Sequence, residues 1–375
     1  MVVQATHTLI IGAGFSGLAC AAALQKNHIE YILLEKQDQV ATPWRNHYHR
    51  LHLHTNKRLS HLPYRKFGPT IPRYPSRQQV IDYLEEYQRA FDIRPVFATE
   101  ALSIQREGEF WITETNKGVF QCSGLIMATG AYGRPRRIDL AGVESFPGRV
   151  LHSCEYKTGV DLSGQRVLVV GFGNSACEIA IDLYEQGARP AMAVRSPVNI
   201  IPRDVWGVPV LELSLLLNRL LPRIADAISA PLMNWLIGDV SRLGLKKKSY
   251  GPLEQIRLEG KAPVLDIGTL FHIREGHIQI YAGIDRIEDR TVHFTDGRMA
   301  DFDVLIAAIG YERSAGIVDV GKERFDDLRV PVDKQKYFGR DGLYFCGYWI
   351  SPTGQIREIS ADAQKIARHI AGKKR

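Results

Sequence analysis

Short, continuously apolar runs separated by Ala-rich helical stretches dominate the chain. Thr8, Leu9, Ile10 and Ile11 form the first such run, and Tyr31, Ile32, Leu33 and Leu34 the second, with a helix-like segment over 18–24 between them. Runs apolar at every position suit strands buried on both faces, as in a parallel sheet. The same order returns at 166–170 (strand), 177–184 (helix) and 190–194 (strand). Between the two units, 109–122 alternates apolar and polar residues around 115–118, the pattern of a hairpin, and 124–130 is again continuously apolar. A comparable late pair is 292–297 followed by 303–310. A final strand at 342–347 leads through a Pro/Gly loop into a helix over about 359–370. Strands alternating with helices predict the α/β class.

Each unit has a glycine turn where its first strand meets its helix. The first is Gly12-Ala13-Gly14-Phe15-Ser16-Gly17, a complete G-x-G-x-x-G, and the acid Glu35 ends the next strand 18 residues beyond Gly17. In this fingerprint the first glycine allows the tight turn, the second lets a pyrophosphate approach the backbone, and the third lets helix and strand pack closely. The helix N-terminus offers free N–H groups and a positive dipole end to phosphate. Glu35 is placed to accept both ribose hydroxyls, which suits an unphosphorylated adenosine such as that of FAD. The second turn is Gly171-Phe172-Gly173-Asn174-Ser175-Ala176, and Arg195-Ser196 stand where the acid would be. A guanidinium and a hydroxyl bind a 2′-phosphate that a carboxylate would repel, which suits NADPH. The expectation is two Rossmann-like dinucleotide-binding domains of the three-layer ββα type, the NADPH domain inserted in the FAD domain. The boundaries expected are 1–157 (FAD, first part), 158–298 (NADPH, with a helical insertion over about 205–260) and 299–375 (FAD, second part).

Composition narrows the chemistry. Of 375 residues, 45% are hydrophobic and 24% charged, so a large core is available. The net charge of +7 permits anionic partners and selects none. No reading motif for nucleic acid is present, so none is expected as partner. The five cysteines are scattered with no C-x-x-C pair, which excludes dithiol oxidoreductases and points to a reducing, cytoplasmic setting. The first strand starts near Thr8 and no apolar stretch reaches membrane-spanning length, so neither a signal peptide nor stable membrane insertion is expected. A homodimer is the default oligomer. Five histidines (47, 49, 52, 54 and 61) crowd 15 residues, but no carboxylate or thiolate joins them locally, and no metal is expected.

Two nucleotide turns with Phe146, Gly148, His152 and Tyr156 between them fit the F-x-G-x-x-x-H-x-x-x-Y signature. In this order the chain resembles the flavin-containing monooxygenases. It is most similar to the YUCCA branch, through 67–79, 195–203, 251–254 and 263–269. Local departures are Ala41-Thr42-Pro43-Trp44 for G-G-x-W, Ala308-Ile309-Gly310-Tyr311 for A-T-G-Y, and Leu53-His54-Thr55-Asn56 for L-H-L-P. The resemblance implies that NADPH reduces FAD, and that reduced flavin captures O2 as a C4a-(hydro)peroxide which oxygenates a small organic substrate. An indole-3-pyruvate-like α-keto acid and an amine or sulfide are both open. It further implies FAD contacts at Gly12, Gly14, Phe15, Ser16, Gly17, Glu35, Lys36, Trp44, His54, Thr129, Gly347 and Gln355. The NADP contacts implied are Gly171, Gly173, Asn174, Ser175, Ala176, Arg195 and Ser196. Asn56 matches an Asn beside the flavin in broader relatives and is the candidate catalytic amide; a plain loop-turn role weighs equally. The signature residues read as linkers between domains, with His152 structural. The alternative activity is an NAD(P)H oxidase or quinone reductase; a flavin-holding redox sensor is the non-enzymatic reading.

Segment 211–237 carries a helical apolar stripe at 213, 216, 217, 220, 221, 224 and 228, interrupted by Pro222 and punctuated by Arg219, Arg223 and Asp226. It reads as an insertion covering the active-site entrance and packed on the core. Contact with a membrane surface, aided by Lys246-Lys247-Lys248, is the second reading.

Overall fold

The computed structural model describes residues 3–130, 133–217, 220–312, 317–318 and 338–373. Two sheets organise the chain. In the first, Tyr31–Leu34, Val3–Ile11 and Gly118–Met127 run parallel. Gly118–Met127 then pairs antiparallel with Phe110–Thr115 at its start and parallel with the late strand Leu343–Phe345 at its end. Residues on one strand alternate between two cores. Ile10, Leu33 and Ile126 join the layer of helices Phe15–Lys26, Arg77–Ala90 and Gln355–Lys373, while Leu9, Ile11, Leu34, Leu125 and Met127 join the hairpin layer with Trp111 and Phe120. Each such buried aliphatic side chain contributes about 1.5–3 kcal/mol. Apolar residues at every strand position are the consequence of burial on both faces.

The second sheet is wholly parallel, in the order Gln279–Tyr281, Arg189–Ala193, Arg166–Val170, Val304–Ala307, Arg149–His152. Val167, Val169, Met192, Val304 and Ile306 face the helix Asn174–Glu185. Leu168, Ala191, Ala193 and Leu305 face the antiparallel meander Ile284–Glu288, Thr291–Phe294, Met299–Asp301. That makes three layers: meander, parallel sheet and helices.

The strand runs, the hairpin and the return of the C-terminal segment to the first sheet match the sequence pattern. Two strands fall on the other side of the expected boundaries. Arg149–His152, placed before residue 158, and Val304–Ala307, placed after 298, both pair into the second sheet. Val304–Ala307 is buried at every position and the edge strand Arg149–His152 only at His152, and neither pattern says which sheet the strand joins.

The insertion consists of a small hairpin (Asp204–Val205 with Val208–Pro209) and helices Val210–Leu217, Pro222–Ile237 and Pro252–Glu259. Of the expected stripe, the Leu216 side chain and Arg219 lie outside the described residues. Asp226 turns inward and accepts from the N–H groups of Leu253 (3.0 Å) and Glu254 (2.9 Å), capping the third helix.

Candidate functional site

Each glycine turn is built where a parallel strand stops and a helix starts. Gly12 takes a left-handed φ of +99°, and a Cβ there would sit 2.9 Å from the Ala128 carbonyl oxygen. A Cβ at Gly17 would lie 1.8 Å from the Gly12 oxygen, so helix and strand approach as closely as backbone allows. Gly14 differs: a Cβ there would meet nothing within 4 Å, and its backbone is extended. The second turn repeats this division. Gly171 (φ +118°) has the Ala308 oxygen 2.7 Å from a built Cβ, and Gly173 has open space. Helix Arg77–Ala90 closes its own N-terminus with a reciprocal Ser76–Gln79 capping box, whereas the helices Phe15–Lys26 and Asn174–Glu185 have no side-chain cap and no acid in the first turn. Their first N–H groups are left for an anionic partner.

Around the first turn, Glu35 Oε2 accepts from the Ala13 N–H (2.7 Å) and Oε1 from Gln37 (3.0 Å), which fixes the carboxylate at the strand end. Each oxygen keeps a lone pair for a further donor. Gly347 (φ +84°) rests on Ser16, whose Oγ lies 2.2 Å from where a Cβ would be. Gln355 Nε2 donates to the Gly347 carbonyl (3.0 Å), while Gln355 Oε1 is buried without a hydrogen-bond partner. The Thr129 hydroxyl is bonded to Tyr348, whose phenol burial pushes up to about 12. Trp44 sets its ring edge-on to Phe15 at 6.1 Å, and Lys36 is exposed. Open space, uncapped N–H groups and an orphaned buried amide oxygen together fit a dinucleotide that lies along this turn.

At the second turn, Asn174 is tied to the neighbouring strand: Oδ1 accepts from Leu265 N–H (2.8 Å) and Nδ2 donates to the Pro263 carbonyl (3.3 Å). Burial, and the Glu178 carboxylate beside it, push the Tyr48 phenol well above its usual range, and Ala176 is fully buried. Arg195 and Ser196 are exposed beyond strand Arg189–Ala193, with the Arg195 stem against the bare backbone of Gly283. No carboxylate pairs with Arg195 among the described residues.

Sequence reasoning missed what joins the two turns. Glu178, Asp182 and Glu185 recur one helical turn apart on Asn174–Glu185, and each meets the segment 48–54 or the signature tyrosine. Glu178, 2% exposed, has Oε1 3.2 Å from His54 Nε2 without hydrogen-bond alignment, and its Oε2 is unpartnered. Asp182 accepts from Tyr156 Oη (2.5 Å) and the Gly159 N–H (3.0 Å). Glu185 takes a bidentate pair from Arg50, which holds its carboxyl below the usual range. The i, i+4, i+7 spacing of acids was readable, but it resembles any solvated helix face. The signature residues make close backbone contacts and local hydrogen bonds. A Cβ at Gly148 would lie 2.2 Å from the Asp303 oxygen. His152 Nδ1 accepts from Cys154 N–H (3.2 Å), which leaves the proton on Nε2 for the Gly310 carbonyl (3.2 Å).

Asn56 is 1% exposed with both amide ends engaged. Oδ1 accepts from Leu59 N–H (3.1 Å), a local turn, and Nδ2 donates to Glu212 Oε1 (2.8 Å) on helix Val210–Leu217. Ser214 on the same helix donates to the Pro352 carbonyl (3.0 Å), so the insertion is pinned over both loops.

Residues 9–205, which include both turns, match the family described as pyridine nucleotide-disulphide oxidoreductase. Indole-3-pyruvate monooxygenase YUCCA6 of Arabidopsis thaliana is 37% identical over 97% of this chain and 90% of its own length. YUCCA4 of Oryza sativa subsp. japonica is 35% identical over 98% and 88%. The chain belongs to the YUCCA monooxygenase family. As a YUCCA-family protein it is a flavin-dependent monooxygenase, and the oxidase or quinone-reductase alternative is not favoured. Among solved structures, a flavin-containing monooxygenase from Stenotrophomonas maltophilia has a TM-score of 0.75 at 18% identity, covering 99% of this chain and 100% of that one. The bacillithiol disulfide reductase Bdr of Staphylococcus aureus has 0.71 at 18%, with the same coverage. Both share the fold. All five cysteines of this YUCCA-family chain are free.

Replacing Tyr156 by Phe removes one of the two donors to buried Asp182. We expect a loss of about 1–3 kcal/mol in denaturant unfolding, with flavin content unchanged; an unaltered midpoint would show that the bond contributes nothing.

Proposed function

We propose that the first turn holds FAD and the second NADPH, and that the NADPH unit is inserted within the FAD unit. The reaction proposed is oxidative decarboxylation of an α-keto acid of the indole-3-pyruvate type. The observation that carries the cofactor assignment is the pair of uncapped glycine turns with open space at Gly14 and Gly173, one followed by Glu35 and the other by Arg195 and Ser196. In this reading Glu35 accepts the adenosine ribose hydroxyls, and the N–H groups of Phe15, Ser16 and Gly17 face the FAD pyrophosphate. Thr129, Gly347 and Gln355 border the flavin, with Trp44, Lys36 and His54 at its margins. Asn174, Ser175 and Ala176 open the NADPH helix, with Arg195 on the 2′-phosphate. Flavin, when bound, supplies the dioxygen chemistry. The chain orients both cofactors and excludes water, for which helix Val210–Leu217, pinned to Asn56 and Pro352, is placed. Asn56 anchors this cover with one Nδ2 hydrogen on Glu212 and keeps the second as the donor of the catalytic amide in this reading. The substrate class follows from the relatives' names; no feature here favours an amine or sulfide.

The test is turnover of indole-3-pyruvate with NADPH and isotopically labelled dioxygen. One labelled atom is expected in the carboxylate of the acid one carbon shorter, the other in water, with carbon dioxide released. NADPH consumption that yields only hydrogen peroxide would return the protein to the oxidases.

A further inference from the structure

Helix Pro222–Ile237 buries Ala225, Asp226 and Ile237, whereas Ile224, Ala227, Ile228, Pro231 and Trp235, spaced along one stripe, face solvent. Ile228 is 59% exposed and Trp235 71%, and just before the helix Leu221 is 70% exposed. Trp206, at 75%, brings its ring within 6.3 Å of Trp235 and extends the stripe onto the small hairpin. The sequence reading packs Leu221, Ile224 and Ile228 on the core. Inward polar bonds orient the helix otherwise: Asp226 caps Pro252–Glu259, and Arg223 and Arg257 converge on buried Glu254. Isolated exposed apolar residues are ordinary, but a contiguous stripe with two tryptophans marks a contact surface.

Charge at the rim selects the partner. Lys246 and Lys247 are exposed, and Lys247 reaches Asn234 beside Trp235. Arg223 and Arg242, 80% and 86% exposed, are paired with Glu254 and Asp239, so Lys246 and Lys247 carry the net positive charge of the rim. A two-fold contact with a second copy would set this cationic rim against itself. An anionic surface complements it, and tryptophans beside lysines suit the headgroup boundary of a bilayer. No helix among the described residues is long and apolar enough to cross a membrane. At 16 residues, or about 24 Å, this one has the length to lie along the surface. We propose that the outward face of Pro222–Ile237, with Trp206, docks on an anionic lipid bilayer.

The purified full chain is co-sedimented with vesicles of phosphatidylcholine alone and of phosphatidylcholine mixed with phosphatidylserine. The wild type is expected to pellet with the mixed vesicles and far less with the neutral ones. Trp206→Ser/Trp235→Ser should lower partitioning about tenfold or more, and Lys246→Gln/Lys247→Gln roughly fivefold per cation. Flavin content and melting temperature stay at wild-type values in both. Ile228→Glu is the single-site substitute if the tryptophan pair fails to fold. Wild type that remains in the supernatant at low salt, or tryptophan variants that pellet as before, overturn the proposal. Concentration-dependent dimers abolished by the same variants, without vesicle binding, would instead assign the face to a second copy.

Discussion

Gly14→Val is expected to give a folded chain nearly devoid of flavin, and Gly173→Val a yellow chain that NADPH reduces poorly. Both positions are extended, and a Cβ at either meets nothing within 4 Å, so valine is sterically acceptable in the free protein. What valine fills is the space in which a pyrophosphate would approach the helix N–H groups. Loss of two hydrogen bonds to a charged group, at about 1.5–3 kcal/mol each, corresponds to roughly a hundredfold or more in affinity. Gly17→Val is the contrast: its Cβ lies 1.8 Å from the Gly12 oxygen, so helix and strand must separate. That costs at least the ~1–3 kcal/mol of ordinary overpacking, and unfolding should reveal it without any cofactor. Flavin content after purification, melting temperature and reduction at saturating NADPH separate the three. A Gly14→Val protein with wild-type flavin would mean that the first turn does not hold FAD.

The turns were legible because Gly12, Gly17 and Gly171 answer backbone demands that no other residue meets, while Gly14 and Gly173 leave open space at the helix start. The strands were legible because burial on both faces leaves no polar position. Assignment of Arg149–His152 and Val304–Ala307 to the second sheet was not legible, since a strand's own residues carry no mark of the strand it pairs with. The stripe on Pro222–Ile237 was visible as a period. Periodicity identifies a face and says nothing about its direction, and only the inward bonds of Asp226 decide that. Glu178 and Asp182 escaped for the same reason: on sequence, acids one turn apart mark a solvated face. The structure buries them because segment 48–54 and Tyr156 pack on that side of the helix. Asn56 shows a different limit. Its two readings, turn and reactive-site amide, use opposite ends of one side chain, and each end has found a protein partner.

Arg195→Glu should invert the nicotinamide cofactor preference. Arg195 stands beyond the strand that follows the second turn, exposed, with no carboxylate partner among the described residues, and Gly283 leaves room for its stem. A guanidinium presents a planar fork to a 2′-phosphate, and a glutamate there would instead repel the phosphate and accept ribose hydroxyls, as Glu35 does in the FAD reading. Removing one charge-assisted contact costs about 1.5–3 kcal/mol, and repulsion adds to it. We therefore expect kcat/KM for NADPH to fall roughly a hundredfold or more, while the value for NADH holds or rises. Arg195→Lys keeps the charge without the fork and should fall between. Because the site is exposed, the wild-type preference should also shrink as salt approaches molar concentration, where screening acts within about 3 Å. Flavin content should not change, since the first turn is untouched. An NADPH-to-NADH ratio that survives Arg195→Glu at low salt would remove the 2′-phosphate from this residue and leave Ser196 and the meander side as its remaining neighbours.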